Sequence, residues 1–139
     1  MSKKHWTGSH TKHRLLYHIV WIPKRRKKIL IGKIANRVKN LFYESCKHNK
    51  WWIHELKVLE DHVHVLIQIK PRESVSSVVK RLKGVSSKIL REEYPELIEF
   101  RWGKSFWCEG FLAESVGKVT ESRIQSYIRD QEVTKSMPH

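Results

Sequence analysis

Cysteine is nearly absent from this chain. Cys46 and Cys108 are the only two, far apart and without Cys-x-x-Cys spacing, so neither a disulfide framework nor a structural zinc knuckle is supported and two buried or idle thiols are expected. Acidic residues are scarce as well: 14 Asp+Glu stand against 28 Lys+Arg, a formal charge of +14. An excess of that size points to a polyanion, most often nucleic acid, and leaves ribosomal proteins, membrane-surface proteins and nucleic-acid enzymes open. No apolar run approaches the ~20 residues of a membrane span. Nor does the segment from Met1 to Trp6 lead into the apolar core of a secretory signal, so a cytoplasmic, nucleoid-associated protein without a membrane partner is expected. What is present, 139 residues with 40% hydrophobic and 30% charged, suits one soluble domain with a real core.

The first 13 residues, polar and without periodicity, read as a flexible basic arm, residues 14–133 as the single domain, and 134–139 as a flexible tail. Arg14 to Ile22 is β-branched and aromatic, a strand ended by Pro23. Five cations follow, Lys24, Arg25, Arg26, Lys27 and Lys28, a run that fits either a solvated loop or a phosphate contact. From Gly32 to Asn49, Ile34, Val38, Leu41 and Phe42 recur at helical spacing. Trp52–Leu59 and His62–Ile69 form a hairpin across Glu60-Asp61, and a second helix follows Ser74, its N-cap, as far as Leu90. Arg101–Trp107 and Phe111–Ala113 read as a fourth strand, or as one strand broken at Gly110, and Thr120 caps a last helix to Val133. The order β-α-β-β-α-β with an appended helix is ferredoxin-like: an α+β fold with a four-stranded antiparallel sheet and two helices on one face.

In the third strand His62 and His64 point to one side while Val63, Val65, Ile67 and Ile69 point to the other. With the valines under the helices, the histidines lie on the open face. Such a pair suits a divalent cation, since two imidazoles leave positions for a third ligand and a substrate, but also a solvated or phosphate-contacting pair. In the last helix Tyr127 and Gln131 are four apart, hence on one face, beside the apolar stripe of Ile124 and Ile128. A cation held by two imidazoles and a carboxamide oxygen polarises a phosphodiester while the phenolate attacks phosphorus. Without the histidine pair, Tyr127 reads as a surface tyrosine leaning on a neighbouring core. Asp61 fits a hairpin-turn acid or a group that orients His62, and His54 and Glu55, on the neighbouring strand, are further candidates for supporting the metal ligands.

Four blocks in order resemble the HUH single-tyrosine transposases, which mobilise small insertion sequences as single-stranded DNA. They are Tyr17-His18-Ile19-Val20-Trp21-Ile22-Pro23-Lys24; Asp61-His62-Val63-His64-Val65-Leu66; Leu82-Lys83-Gly84-Val85-Ser86-Ser87 with Trp102-Gly103-Lys104-Ser105-Phe106-Trp107; and Val116-Gly117-Lys118-Val119 leading to Tyr127 and Gln131. The resemblance implies His62, His64 and Gln131 as ligands of Mg²⁺ or Mn²⁺, no nucleotide cofactor, and Tyr127 as a nucleophile leaving a 5′-phosphotyrosine and a free 3′-OH. It further implies recognition of end hairpins and a homodimer whose active sites are shared between subunits. Lys24 to Lys28, Lys83 and Lys104 are the expected DNA contacts. Arg25, where an aromatic residue is expected, and Cys108-Glu109-Gly110, where a small polar turn is expected, depart from the pattern without touching the proposed chemistry. A noncatalytic RNA- or DNA-binding module on the same fold is the rival reading, although it predicts stacking aromatics where His62, His64 and Gln68 stand. A domesticated relative cutting repeated palindromes would share the chemistry.

Overall fold

A computed structural model describes residues 15–100, 105–116 and 127–130. Strand β1 (Leu15–Trp21) is followed by helix α1 (Gly32–Asn49), strands β2 (Trp52–Leu59) and β3 (His62–Ile69), helix α2 (Val75–Glu93) and strand β4 (Leu112–Ser115). The sheet order is β2-β3-β1-β4, and every pairing is antiparallel. That is the expected ferredoxin-like arrangement. Among the described residues no helix is long and apolar enough to cross a membrane.

Each helix forms because its apolar residues fall on one stripe. In α1 these are Ile34, Val38, Leu41, Phe42 and Cys46, and in α2 Val78, Val79, Leu82 and Leu90. The Ser74 hydroxyl accepts the Ser77 N–H at 3.1 Å and so caps α2. Both stripes bury Ile19 and Trp21 of β1 and Val63, Val65, Ile67 and Ile69 of β3 in one core. Strand alternation therefore sends His18, Val20, His62, His64 and Gln68 to the opposite face.

The fourth strand differs from its sequence-based expectation. Pairing begins at Leu112, opposite Val20, and ends at Ser115, opposite Tyr17. Of the earlier stretch, residues 101–104 lie outside the described residues, and Trp107 makes only an isolated bridge with Pro23. The reason lies in α2, whose stripe contains two buried serines. Ser86 Oγ accepts from the Trp107 indole at 2.8 Å and Ser87 Oγ accepts the Phe106 N–H at 2.7 Å. Phe106 and Trp107 are both buried, so this stretch lacks the in-and-out alternation of a strand. It is pinned across the sheet end instead: the Lys24 N–H donates to the Phe106 carbonyl at 3.0 Å and the Cys108 N–H to the Ile22 carbonyl at 2.9 Å. Cys46 and Cys108 are both buried and no disulfide joins them, as their spacing suggests.

Candidate active site

His62 and His64 are both half-buried on the open sheet face. Asp61, in the β2–β3 turn and 8% exposed, accepts from His62 Nδ1 on one oxygen at 2.9 Å and from Arg26 Nε on the other at 2.8 Å. The first bond occupies Nδ1 and leaves Nε2 of His62 to face a cation. Burial pushes the Asp61 carboxyl up, but the hydrogen bonds and charges of His62 and Arg26 outweigh it and hold its pKa below the usual value.

His64 meets a third imidazole. Its Nε2 lies 3.0 Å from His18 Nδ1, with ring centroids 5.2 Å apart. His18 is diagonal to His64 across the β1–β3 ladder, where Val20 is opposite His64 and His18 opposite Leu66. Burial, then the nearby His18, lowers the His64 pKa; Glu55 acts against them, and Lys57 and His62 reinforce the shift. A lowered pKa favours the neutral, ligating form of the ring. His18 is the site residue that sequence reading missed as such. Its signal was there, a histidine on the open face of β1, but only the strand register brings it to His64.

The other expected residues divide. Glu55 pairs opposite Leu66, shares the electrostatics of His64, and forms a 3.7 Å ion pair with Lys57, itself opposite His64. His54 sits at a break in the β2–β3 register and meets Gln68 Oε1 at 3.1 Å, so the structure does not bring it to the histidine pair. Arg25 and Arg26 both adopt left-handed backbone, φ 57° and 52°, and the turn sends the Arg26 guanidinium to Asp61. Lys27 and Lys28 are exposed. Lys83 Nζ donates to the carbonyls of Cys108 and Gly110 at 2.8 and 2.7 Å, and Gly110 has φ 89°, a conformation that favours glycine. Lys104 and Gln131 lie outside the described residues.

Tyr127 belongs to a helical stretch described over residues 127–130, and it lies on the open face. Tyr127, Ile128 and Leu112 pack on Val20, the residue opposite His64. Val20 is 0% and Ile128 3% exposed, so the helix buries this part of the sheet outright. The Tyr127 hydroxyl is buried and has no hydrogen-bond partner among the described residues. Burial, and secondarily Cys108 nearby, pushes its pKa up, so the phenol is held protonated.

The donor set fits a divalent cation. His62 keeps one nitrogen for it while Asp61 holds the other, and the neutral form of His64 is favoured. Among the described residues no three His, Cys, Asp or Glu side chains gather closely enough to hold a metal by themselves. For further coordination an amide oxygen such as that of Gln131 is chemically suitable.

Comparison with known proteins identifies the family. The model of a family described as IS200-like transposases matches residues 11–131. The ISDra2 transposase TnpA of Deinococcus radiodurans is 32% identical over 119 residues, covering 86% of this chain and 85% of that protein. The transposase for insertion sequence element IS200 of Salmonella typhimurium is 37% identical over 124 residues, covering 88% and 80%. A crystal structure of a protein assigned as a transposase from Deinococcus radiodurans R1 superposes with a TM-score of 0.79 at 28% identity, over 94% of this chain and 98% of the other.

Proposed function

Because the chain belongs to the IS200-like transposase family, we propose that it cleaves and rejoins single-stranded DNA at insertion-sequence ends, with Tyr127 as nucleophile. The observation that carries this reading is the docking of Tyr127 and Ile128 on Val20, the residue opposite His64. A tyrosine helix and a histidine pair sixty residues apart thus share one sheet face.

In the reaction the Tyr127 oxygen attacks phosphorus and loses its proton. The bond from phosphorus to the 3′ oxygen breaks, that oxygen takes up a proton, and a 5′-phosphotyrosine and a free 3′-OH remain. Attack by a side chain rather than water conserves the phosphoester, so a 3′-OH can later reverse the step. A Mg²⁺ or Mn²⁺ ion held by His62, His64 and Gln131 would supply charge stabilisation at the phosphodiester. Asp61 orients His62 and His18 steadies His64. The Tyr127 hydroxyl, enclosed and held protonated without DNA, has to meet the phosphate and give up its proton as it attacks.

The test is to incubate the protein with Mn²⁺ or Mg²⁺ and a labelled single strand carrying an end hairpin, then look for a covalent adduct on a denaturing gel. An adduct is expected with the wild type and none with Tyr127→Phe, and His64→Ala should lose the adduct while still binding DNA. An adduct that survives Tyr127→Phe would sink the assignment.

A further inference from the structure

The geometry points to a second DNA subsite on the helix side of the sheet: a groove between α2, residues 105–111 and the Lys24–Arg26 turn that takes one unstacked nucleotide of a single strand. This rests on the reading of the chain as a protein of single-stranded DNA and adds to it a place where the strand is gripped away from the reacting phosphate.

Size and lining argue for a nucleotide. The groove encloses about 800 Å³, within the range of sites that hold small organic ligands. Lys24, Arg25, Lys80 and Lys83 line it, against one carboxylate, Glu109. Burial, then Arg25 and Arg91, lowers the pKa of Lys24, and burial pushes Lys83 down to about 8. An anion offsets the cost of holding these cations away from water. A bare phosphate, however, has no use for the apolar part of the lining, where the half-buried Phe111 offers ring surface. A nucleotide uses both, its phosphate on the lysines and its base on an aromatic face.

Position argues for continuity with the candidate active site. The wall that Lys83 pins through the carbonyls of Cys108 and Gly110 is also tied to the end of β1 by the Cys108 N–H on Ile22. Tyr127 packs on Val20, two residues earlier in the chain. The left-handed pair then divides its two guanidiniums: Arg25 lines the groove while Arg26 holds Asp61, which holds His62. A strand seated in the groove runs from there toward the histidine end of the sheet.

Equilibrium binding of labelled oligothymidylate to full-length Tyr127→Phe protein tests the subsite without cleavage. Lys80→Glu is expected to weaken binding about tenfold and to reduce the slope of log K against log salt by about 1. Lys88→Glu makes the same charge change elsewhere on α2, where Lys88 is exposed, and is expected to cost less than about twofold, since nonspecific surface charge is screened. Phe111→Ala is expected to weaken binding roughly five- to tenfold with the salt slope unchanged, because stacking releases no counterions. Equal losses for Lys80→Glu and Lys88→Glu would overturn the subsite in favour of net charge alone. Inorganic phosphate competing as well as oligothymidylate would overturn it in favour of a simple anion site. Failure of the cleavage reading would show separately, as a wild type without adduct beside an unchanged binding order.

Discussion

An imidazole with one nitrogen tied to a neighbour has one left for a cation, and both histidines of β3 are tied, His62 through Asp61 and His64 through His18. The two supports differ in chemistry: a carboxylate that also holds Arg26, and a second ring. His18→Phe keeps the bulk and removes the nitrogen, so it is expected to weaken Mn²⁺ binding about 10- to 100-fold, as loss of a ligand's orienting partner does elsewhere. Isothermal titration calorimetry reads this directly, and His18→Gln, which keeps a polar group of similar reach, should recover most of the loss. Equal damage from both substitutions would remove His18 from the positioning role. The sequence alone made His62 and His64 legible, because a two-residue spacing in a strand fixes a shared face. His18 was not legible as their partner, since 46 positions separate it from His64 and only the β1–β3 register closes that gap. The cation run from Lys24 to Lys28 likewise reads as uniform in sequence, whereas two left-handed residues aim neighbouring arginines at different tasks.

At the scale of elements, periodicity was enough for α1, β2 and β3, whose bounds coincide with the pattern, and for the Ser74 cap of α2. At the fourth strand it held for the later stretch, where β4 is Leu112–Ser115, and not for Phe106 and Trp107. Arg101–Trp107 has the aromatic content of a strand, yet Phe106 and Trp107 are claimed by Ser86 and Ser87 of α2. Buried serines in an apolar stripe look like breaks in a pattern; here they are the sockets that hold the segment between helix and sheet. Ser86→Ala strands the Trp107 indole N–H, and leaving a buried donor unsatisfied costs about 1–3 kcal/mol. Urea unfolding of that variant should show a loss in this range. The 105–111 wall is what loosens, so oligothymidylate binding should fall more than the stability change alone would suggest. A variant as stable as wild type would mean that Trp107 finds another acceptor.

For the molecule as a whole, the sheet's edge strands among the described residues are β2 and β4, and β2 is the longer, eight residues with Trp52 and Leu59 exposed along it. An edge of that length is open to pairing with a second copy, in keeping with the homodimer that the family resemblance implies. If active sites are shared, a mixture of Tyr127→Phe and His64→Ala subunits should recover part of the adduct that each lacks alone; no recovery would mean that each chain completes its own site. The groove's partly buried cations have a consequence in mass-action terms. A chain of charge +14 is held together against its own repulsion, and a polyanion that binds the folded chain more tightly than the unfolded one removes part of that repulsion. DNA then acts as a folding ligand: at a concentration 100 times its Kd, it adds about 2.7 kcal/mol to the folded state. If the groove's lysines grip the strand as proposed, they also make the empty protein the weaker of its two forms.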